Sequence, residues 1–349
     1  MSRPRHRPAR NWGARIHQIA IGGLPAIVLE NELLRVTVLA GLGADVIEFC
    51  YKPRDLDLTW LSPRPDHRRS AAPAADDVAA FLDRYRGGWQ EVFPNGGAPA
   101  RYRGAALAQH GEVAGLCWDA SVTADAEDAV EATFTTSTTR MPFELRKTMR
   151  LAAGTAELAV SETAVNTSPV PLAAMWGQHL AFGPPFLTPG SRIRLPPGVE
   201  VIPHPVPIDP PHRRVRAGGP WNWPVVPGDA VPDGDVDLSV LPEWGAPSDI
   251  VYLTGFRDGW YELTAPSGAG VRVEWDAAAL PFLWMWQELG ATRGYPWWGQ
   301  GRLLGLEPFS SYPTDGLAEA EANGTALAMA GGAERRLWWR VSMLEVEVR

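Results

Sequence analysis

Cysteine is almost absent from this sequence: Cys50 and Cys117 are its two thiols among 349 residues. Two thiols cannot build a disulfide framework, and their spacing matches no metal-ligand pattern, which points to a cytoplasmic protein. Long apolar runs are missing too, and none approaches the ~20 residues that a membrane-spanning helix needs. The basic opening from Met1 to Arg10 is followed by no apolar stretch. Residues 1–15 therefore read as a flexible basic tail and not as a secretory signal. Positive charge is in deficit, with 32 basic against 40 acidic residues and a net charge of -8. That balance argues against a nucleic-acid partner, because counterion release needs a basic face. No Gly-x-Gly-x-x-Gly follows a strand, and neither a P-loop nor a Gly-x-Ser-x-Gly elbow is present. A close His-x-His pair and a Cys/His cluster are also lacking, so neither a cofactor nor a metal is expected.

What the chain has in excess is glycine (35), proline (33) and tryptophan (16). Glycine and proline at that density punctuate short strands with turns. So many indoles suggest a binding cleft floored by flat aromatic faces, although core packing is the default for any one of them. Period-two alternation dominates. In 143–151, Phe143, Leu145, Met149 and Leu151 share one face and Glu144, Arg146, Thr148 and Arg150 the other. Further strands are expected at 26–30, 34–39, 45–51, 113–123, 129–136, 156–166, 172–182, 250–256, 260–265, 271–275, 280–287, 301–309, 326–330 and 344–348. One helix is expected at 76–85, where Val78, Phe81, Leu82 and Tyr85 fall at helical spacing behind two aspartates. A Pro/Arg/Ala loop at 62–75, expected to be mobile, precedes it. The class is therefore all-β, one large two-sheet sandwich spanning 16–349. The Pro-rich segment 184–247 is expected to pack over one sheet as a covering excursion.

Polar residues that interrupt apolar, glycine-flanked strand ends mark the candidate chemistry. His179 lies in the apolar run Met175-Trp-Gly-Gln-His-Leu-Ala-Phe182, on a face shared with Met175 and Gly177. Imidazole gives and takes protons near neutrality, so His179 is a candidate general acid, set against a buried histidine satisfied by a carbonyl. Glu307 stands between Leu306 and Pro308, where lost solvation should raise its pKa toward that of a useful general base. The alternative is a strand-end glutamate bonded to a turn. His110, in Gln109-His-Gly-Glu112, is a candidate substrate ligand or a turn residue at a strand start.

Taken in order, these pieces resemble the aldose 1-epimerase (galactose mutarotase-like) superfamily. The resemblance rests on Gly41-Leu-Gly-Ala-Asp-Val-Ile-Glu48, Phe93-Pro-Asn95, His110-Gly111, His179 and Gly305-Leu-Glu-Pro308. It covers the chain from about Leu24 onward. It implies a β-supersandwich of large antiparallel sheets with few short helices and a sugar cleft on one concave sheet. It also implies His179 as the acid that protonates the ring oxygen, Glu307 as the base on the anomeric hydroxyl, and His110 as a substrate ligand. Neighbouring candidates for substrate binding are Arg86, Gln90, Trp89, Trp176, Asp258, Trp284 and Trp286. The chain departs from the best-known members in its Gln178-His179 pair, followed by Leu-Ala-Phe-Gly, and in lacking their Asn-Arg motif.

The implied function is a cofactor-independent carbohydrate epimerase acting on a monosaccharide or sugar derivative, as a monomer or homodimer. Two other classes stay open. A non-catalytic carbohydrate-binding protein would keep the aromatic cleft without needing His179 and Glu307 together. A glycoside hydrolase, a lyase or an isomerase of a modified sugar would need other groups, and hydrolysis usually needs a second carboxylate across the cleft.

Overall fold

The alternation read at 143–151 becomes the strand Phe143–Ala152, whose Phe143, Leu145, Met149 and Leu151 are buried while Glu144, Arg146 and Arg150 face water. The computed structural model describes residues 10–63, 74–229 and 234–345. Two antiparallel sheets dominate it. The smaller runs Arg192–Arg194, Gly259–Thr264, Ala269–Trp275, Glu334–Glu345, Glu157–Asn166, Phe143–Ala152, Ala129–Ser137 and Asp119–Asp125, eight strands in all. The larger has 12 strands. Its central order is Asp45–Tyr51, Trp89–Val92, Gly177–Phe182, Leu303–Phe309, Phe282–Glu288 and Asp249–Thr254. The chain is an all-β sandwich, and the apolar faces of both sheets meet in one continuous core that runs from Ala14 to Val341.

Strands Gly177–Phe182 and Leu303–Phe309 are buried along their whole length, on both faces. One face packs on the second sheet, as where Phe182 meets Tyr261 with ring centroids 6.3 Å apart and the Tyr261 hydroxyl donates to the Leu306 carbonyl at 3.2 Å. The other face is roofed by loops and one helical turn, and it carries the candidate site.

Several elements differ from the sequence reading. The helix is one short stretch, Ala79–Leu82. Asp76 Oδ1 accepts the Val78 and Ala79 N–H groups, and the chain turns away at Gly87, whose φ is +79°. A second helix, Leu317–Ala322, was not expected. The segment 172–182 splits into Leu172–Ala174 and Gly177–Phe182, in different sheets. Residues 113–115 form a helical turn, and the strand begins only at Asp119. The proposed tail overlaps the first strand, which starts at Arg15. The Pro-rich segment adds edge strands to both sheets, Arg192–Arg194 to one and Glu200–Pro203 with Trp221–Asn222 to the other. Residues 1–9 of the tail, 64–73 of the Pro/Arg/Ala loop and 346–348 of the last expected strand lie outside the described residues.

Candidate active site

The sheet register builds the site. Strand Gly177–Phe182 pairs with Leu303–Phe309 so that Gly177 faces Phe309 and Ala181 faces Gly305. Position 179 therefore stands directly opposite position 307. On either side of this pair, Gln90 is opposite His179 and Trp284 is opposite Glu307. Directly opposite residues of an antiparallel pair share a face. His179 Nε2 lies 3.5 Å from Glu307 Oε1, with side chains 4% and 2% exposed.

Two glycines make room for this arrangement. A Cβ at Gly305 would sit 2.3 Å from Glu307 Oε1, so the carboxylate lies over the bare backbone. A Cβ at Gly177 would meet the Phe309 ring at 2.3 Å. That ring is the nearest side-chain occupant of the space that Gly177 leaves beside His179. Phe309 in turn stacks on Trp284, with centroids 3.8 Å apart and planes 6° apart.

Burial pulls the two titrating groups in opposite directions. Loss of solvation lowers the His179 pKa to about 4 and raises that of Glu307 well above its ordinary value. Between these two pKa values the pair therefore holds one proton between its two members. When the pair is uncharged the proton is on Glu307, and when it is an ion pair the proton is on His179. His179 Nδ1 has no hydrogen-bond partner on another residue.

His110 approaches from a turn. Its φ of +56° is a left-handed conformation that a histidine adopts only when its surroundings hold it there. Two bonds do so: His110 N–H donates to the Gly97 carbonyl at 2.9 Å, and Gly97 N–H donates to His110 Nδ1 at 3.2 Å. Nδ1 is thus an acceptor, which puts the proton of the neutral ring on Nε2. Burial, and then the neighbouring His179, push the His110 pKa well down, so it remains neutral. Asn95 secures the supporting loops. Its side-chain nitrogen donates to the Ala98 and Ala108 carbonyls, and its oxygen accepts the Leu317 N–H at 2.7 Å.

These groups open onto a cavity of about 210 Å³. Phe81, Leu82 and Tyr85 line it from the helical turn, and Pro296 and Trp297 from the 289–302 loop. Ile208, Ile250, Trp284 and Trp286 line it from the Pro-rich segment and the sheet. The Tyr295 hydroxyl donates to Asp83 at 2.9 Å and ties the two parts of the roof together. Glu288 holds the base of the loop by accepting from Ser248, Thr292 and the Gly290 N–H.

Behind the site, on the face turned to the second sheet, lies a polar cluster that sequence reading missed. Gln178 donates to both Glu91 and Glu162 at 2.9 Å, Lys147 Nζ is 3.1 Å from Glu91, and Trp339 donates to Glu162. Trp176 also donates its indole N–H to Glu91. Burial and the adjacent Glu91 drive the Glu162 pKa well up, which favours the neutral form of this carboxyl beside the Lys147–Glu91 ion pair.

Of the residues expected at the site, the fold brings together His110, His179, Glu307, Trp284 and Trp286 around the cavity. Gln90 is next to His179 in the register but bonds to Asp45 at 2.8 Å, away from the cavity. Arg86 acts electrostatically on the same Asp45. Trp89 and Trp176 are elsewhere: both are packed in the core, Trp89 against Phe49 and Phe182, Trp176 against Phe93. Asp258 is exposed in a bend before the strand Gly259–Thr264 of the other sheet. Tyr85 and Trp297 line the cavity without having been expected there: Tyr85, read as part of the helix 76–85, lies beyond that helix's last residue, Leu82, and Trp297 sits in a connecting loop. Among the described residues no three His, Cys, Asp or Glu side chains gather to hold a metal ion.

Comparison with known proteins matches this architecture. A candidate aldose 1-epimerase from Klebsiella pneumoniae superposes with a TM-score of 0.71 at 13% identity, over 96% of this chain and 88% of that one. A galactose mutarotase-like protein from Clostridium acetobutylicum gives 0.62 at 11% identity, over 96% and 99%. One from Lactobacillus casei gives 0.53 at 17% identity, over 91% and 100%. At such identities the likeness establishes the fold, which is galactose mutarotase-like. No curated protein matches the sequence. The family model described as "Domain of unknown function (DUF4432)" matches residues 22–205, just over half of the 349 residues. With that match, the chain belongs to the DUF4432 family, whose member here is built on a galactose mutarotase-like β-sandwich.

Proposed function

We propose that this protein is a carbohydrate epimerase of mutarotase type, which interconverts the anomers of a sugar by opening and reclosing its ring. The observation that carries the reading is the His179–Glu307 pair, 3.5 Å apart on the wall of a largely apolar cavity. Ring oxygen and anomeric hydroxyl oxygen are bonded to the same carbon, so an acid and a base that serve them must stand side by side. In the competent state the proton is on His179. Its Nε2–H is given to the ring oxygen while ionised Glu307 takes the proton of the anomeric hydroxyl. The bond between the anomeric carbon and the ring oxygen breaks, leaving an open-chain aldehyde and a free hydroxyl. Rotation about the adjacent carbon–carbon bond presents the other carbonyl face. Reclosure returns the first proton to His179 and the second to the new anomeric oxygen. Proton count and charge balance over the cycle, and every step uses side chains of this chain.

His110, neutral with its proton on Nε2, serves as a hydrogen-bond donor to substrate, and Trp284 and Trp286 offer flat faces to sugar C–H groups. Glycoside hydrolysis fits less well, because Glu307 is the one carboxylate among the described residues that line the cavity. Free Cys50 and Cys117 support a cytoplasmic setting. The likeness to proteins named as mutarotase-like supports the reaction class. The test is anomeric exchange by proton NMR. Exchange above the spontaneous rate that is lost in folded His179→Ala and Glu307→Gln variants supports the proposal. Saturable binding without acceleration supports a binding protein instead.

A further inference from the structure

Tyr85 follows the helical turn Ala79–Leu82, lines the cavity and is 3% exposed. Four rings hold its own in place. Phe81 and Trp60 stack on it with centroids 5.3 and 5.9 Å away, and His179 and Trp297 meet it edge to face at 5.5 and 6.1 Å. His179 is in turn flanked by Tyr85, by His110 at 5.3 Å and by Trp286 at 5.6 Å. Tyr85 therefore belongs to the immediate surroundings of the proposed acid. Packing explains the ring, but it asks for no hydroxyl, since phenylalanine would fill the same nest.

The Tyr85 hydroxyl is buried without a hydrogen-bond partner. Three other buried tyrosines of this fold all have one. Tyr102 accepts the Ala173 N–H at 2.9 Å, Tyr261 donates to the Leu306 carbonyl at 3.2 Å, and Tyr252 accepts the Thr314 N–H and pairs with His204, both at 2.9 Å. A buried phenol ordinarily finds a partner, because a stripped hydroxyl costs free energy. Burial, and then the charges of Glu307 and Asp45, push the Tyr85 pKa well up. The group thus keeps its proton and stands as a donor within electrostatic reach of Glu307.

Resting on the proposed mutarotase reaction, we infer that Tyr85 is a substrate-binding residue, whose unpartnered hydroxyl donates a hydrogen bond to a non-reacting hydroxyl of the bound sugar. His179 and Glu307 serve the ring oxygen and the anomeric hydroxyl, so a further donor fixed beside His179 is free for one of the others. A hydroxyl that gains its partner only in the complex contributes to binding and nothing to the stability of the free protein. Removing it leaves a sugar hydroxyl unpaired in the cavity, which should raise KM about 10-fold. Because the contact is the same before and during ring opening, kcat should stay nearly unchanged.

The experiment compares the full wild-type chain with Tyr85→Phe, using glucose, galactose, mannose, xylose and ribose. Anomeric exchange and saturation-transfer binding are read by proton NMR, beside a thermal melt. The expected result is a variant that melts at or above the wild-type temperature, with KM raised about 10-fold and kcat within about twofold. The monodeoxy derivatives of the best-exchanged sugar are then measured with both proteins. At one position the two KM values should coincide, because the hydroxyl that Tyr85 holds is gone, and this assigns the contact. A KM within about twofold of wild type, or a penalty that persists for every deoxy derivative, overturns the inference and leaves the mutarotase reading in place. A lowered melting temperature overturns it too, since the hydroxyl would then serve the fold. If the wild type exchanges no sugar faster than spontaneously, the mutarotase reading fails and binding alone decides. Binding about 10-fold weaker in Tyr85→Phe upholds the assignment, and equal binding or none by either protein overturns it.

Discussion

The bare backbone beneath Glu307 makes Gly305→Ala a sharp probe of the site. The new Cβ would lie 2.3 Å from Glu307 Oε1, and real Cβ atoms essentially never come within 3.0 Å of another heavy atom. The oxygen must therefore retreat by at least 0.7 Å, and it is the same oxygen that lies 3.5 Å from His179 Nε2. Because the displaced atom ends a flexible side chain, the fold should absorb the methyl group at a cost within the ~1–3 kcal/mol of modest overpacking. Catalysis should not absorb it. Misplacement of a reacting group by about 1 Å can cost ~10²-fold, so a fall in kcat/KM of about 10- to 100-fold is expected. Anomeric exchange measured by NMR, beside near-UV circular dichroism and a thermal melt, separates the two effects. Gly115→Ala is the matched control, since a Cβ there meets nothing within 4 Å. A Gly305→Ala protein that folds normally and keeps wild-type kcat/KM would refute the claim that Glu307 is positioned for proton transfer.

Three more predictions follow from buried charge. The pH–rate profile should be bell-shaped: below about pH 4 His179 gains a proton and the pair has no base, and above the raised pKa of Glu307 it has no acid. A rate that instead titrates with an ordinary carboxylate near pH 4.5 and stays flat above it would contradict the shared proton. Asp45 is buried, and burial lifts its carboxyl from 3.8 to about 7. The folded state thus holds a proton that the unfolded chain releases, and stability falls as pH rises from about 4 through about 7. Asp45→Asn removes this loss, so urea unfolding should show the variant more stable by up to roughly 4 kcal/mol at pH 8, at ~1.4 kcal/mol per pH unit, with the difference vanishing near pH 4. Lys147→Met leaves Glu91 without its cation in the core and should lower stability by about 3–5 kcal/mol in the same assay. Loss of less than 1 kcal/mol would mean that the ion pair has been misread.

The strand pattern was legible where burial alternates along a strand. Strands Phe143–Ala152 and Glu157–Asn166 fall within one residue of where alternation placed them. The lone acid in Leu-Gly-Leu-Glu-Pro and the histidine after Gly177 stood out because strands buried on both faces carry few titratable groups. Lys147 was hidden by its own strand, since the surrounding alternation placed a charged residue on the apolar face and only Glu91, distant in sequence, explains it. Trp89 and Trp176 illustrate the parity of a strand. Gln90 stands opposite His179 and shares its face of the sheet, so its neighbour Trp89 must face the core. Trp176 likewise turns to the Glu91 side, where its indole N–H finds a partner. Trp297 was not legible because loops carry no period that says which way a side chain points, and Tyr85 was read only as a helix position because its helix ends three residues early, at Leu82. The split of 172–182 had the same origin: Met175 and Trp176 are apolar enough to prolong a strand, yet the Met175 N–H bonds to Pro94 and the Trp176 N–H to Ser310.

The central claim is that one shared proton, between His179 and Glu307, opens and recloses a sugar ring. Proton NMR exchange between anomers, recorded for the wild-type protein and for His179→Ala and Glu307→Gln variants that melt like it, tests this most directly. The account predicts acceleration of a monosaccharide's anomeric exchange by the wild type and a fall of at least ~10²-fold in each variant, the scale of general acid–base catalysis. Equal acceleration by all three proteins would contradict it.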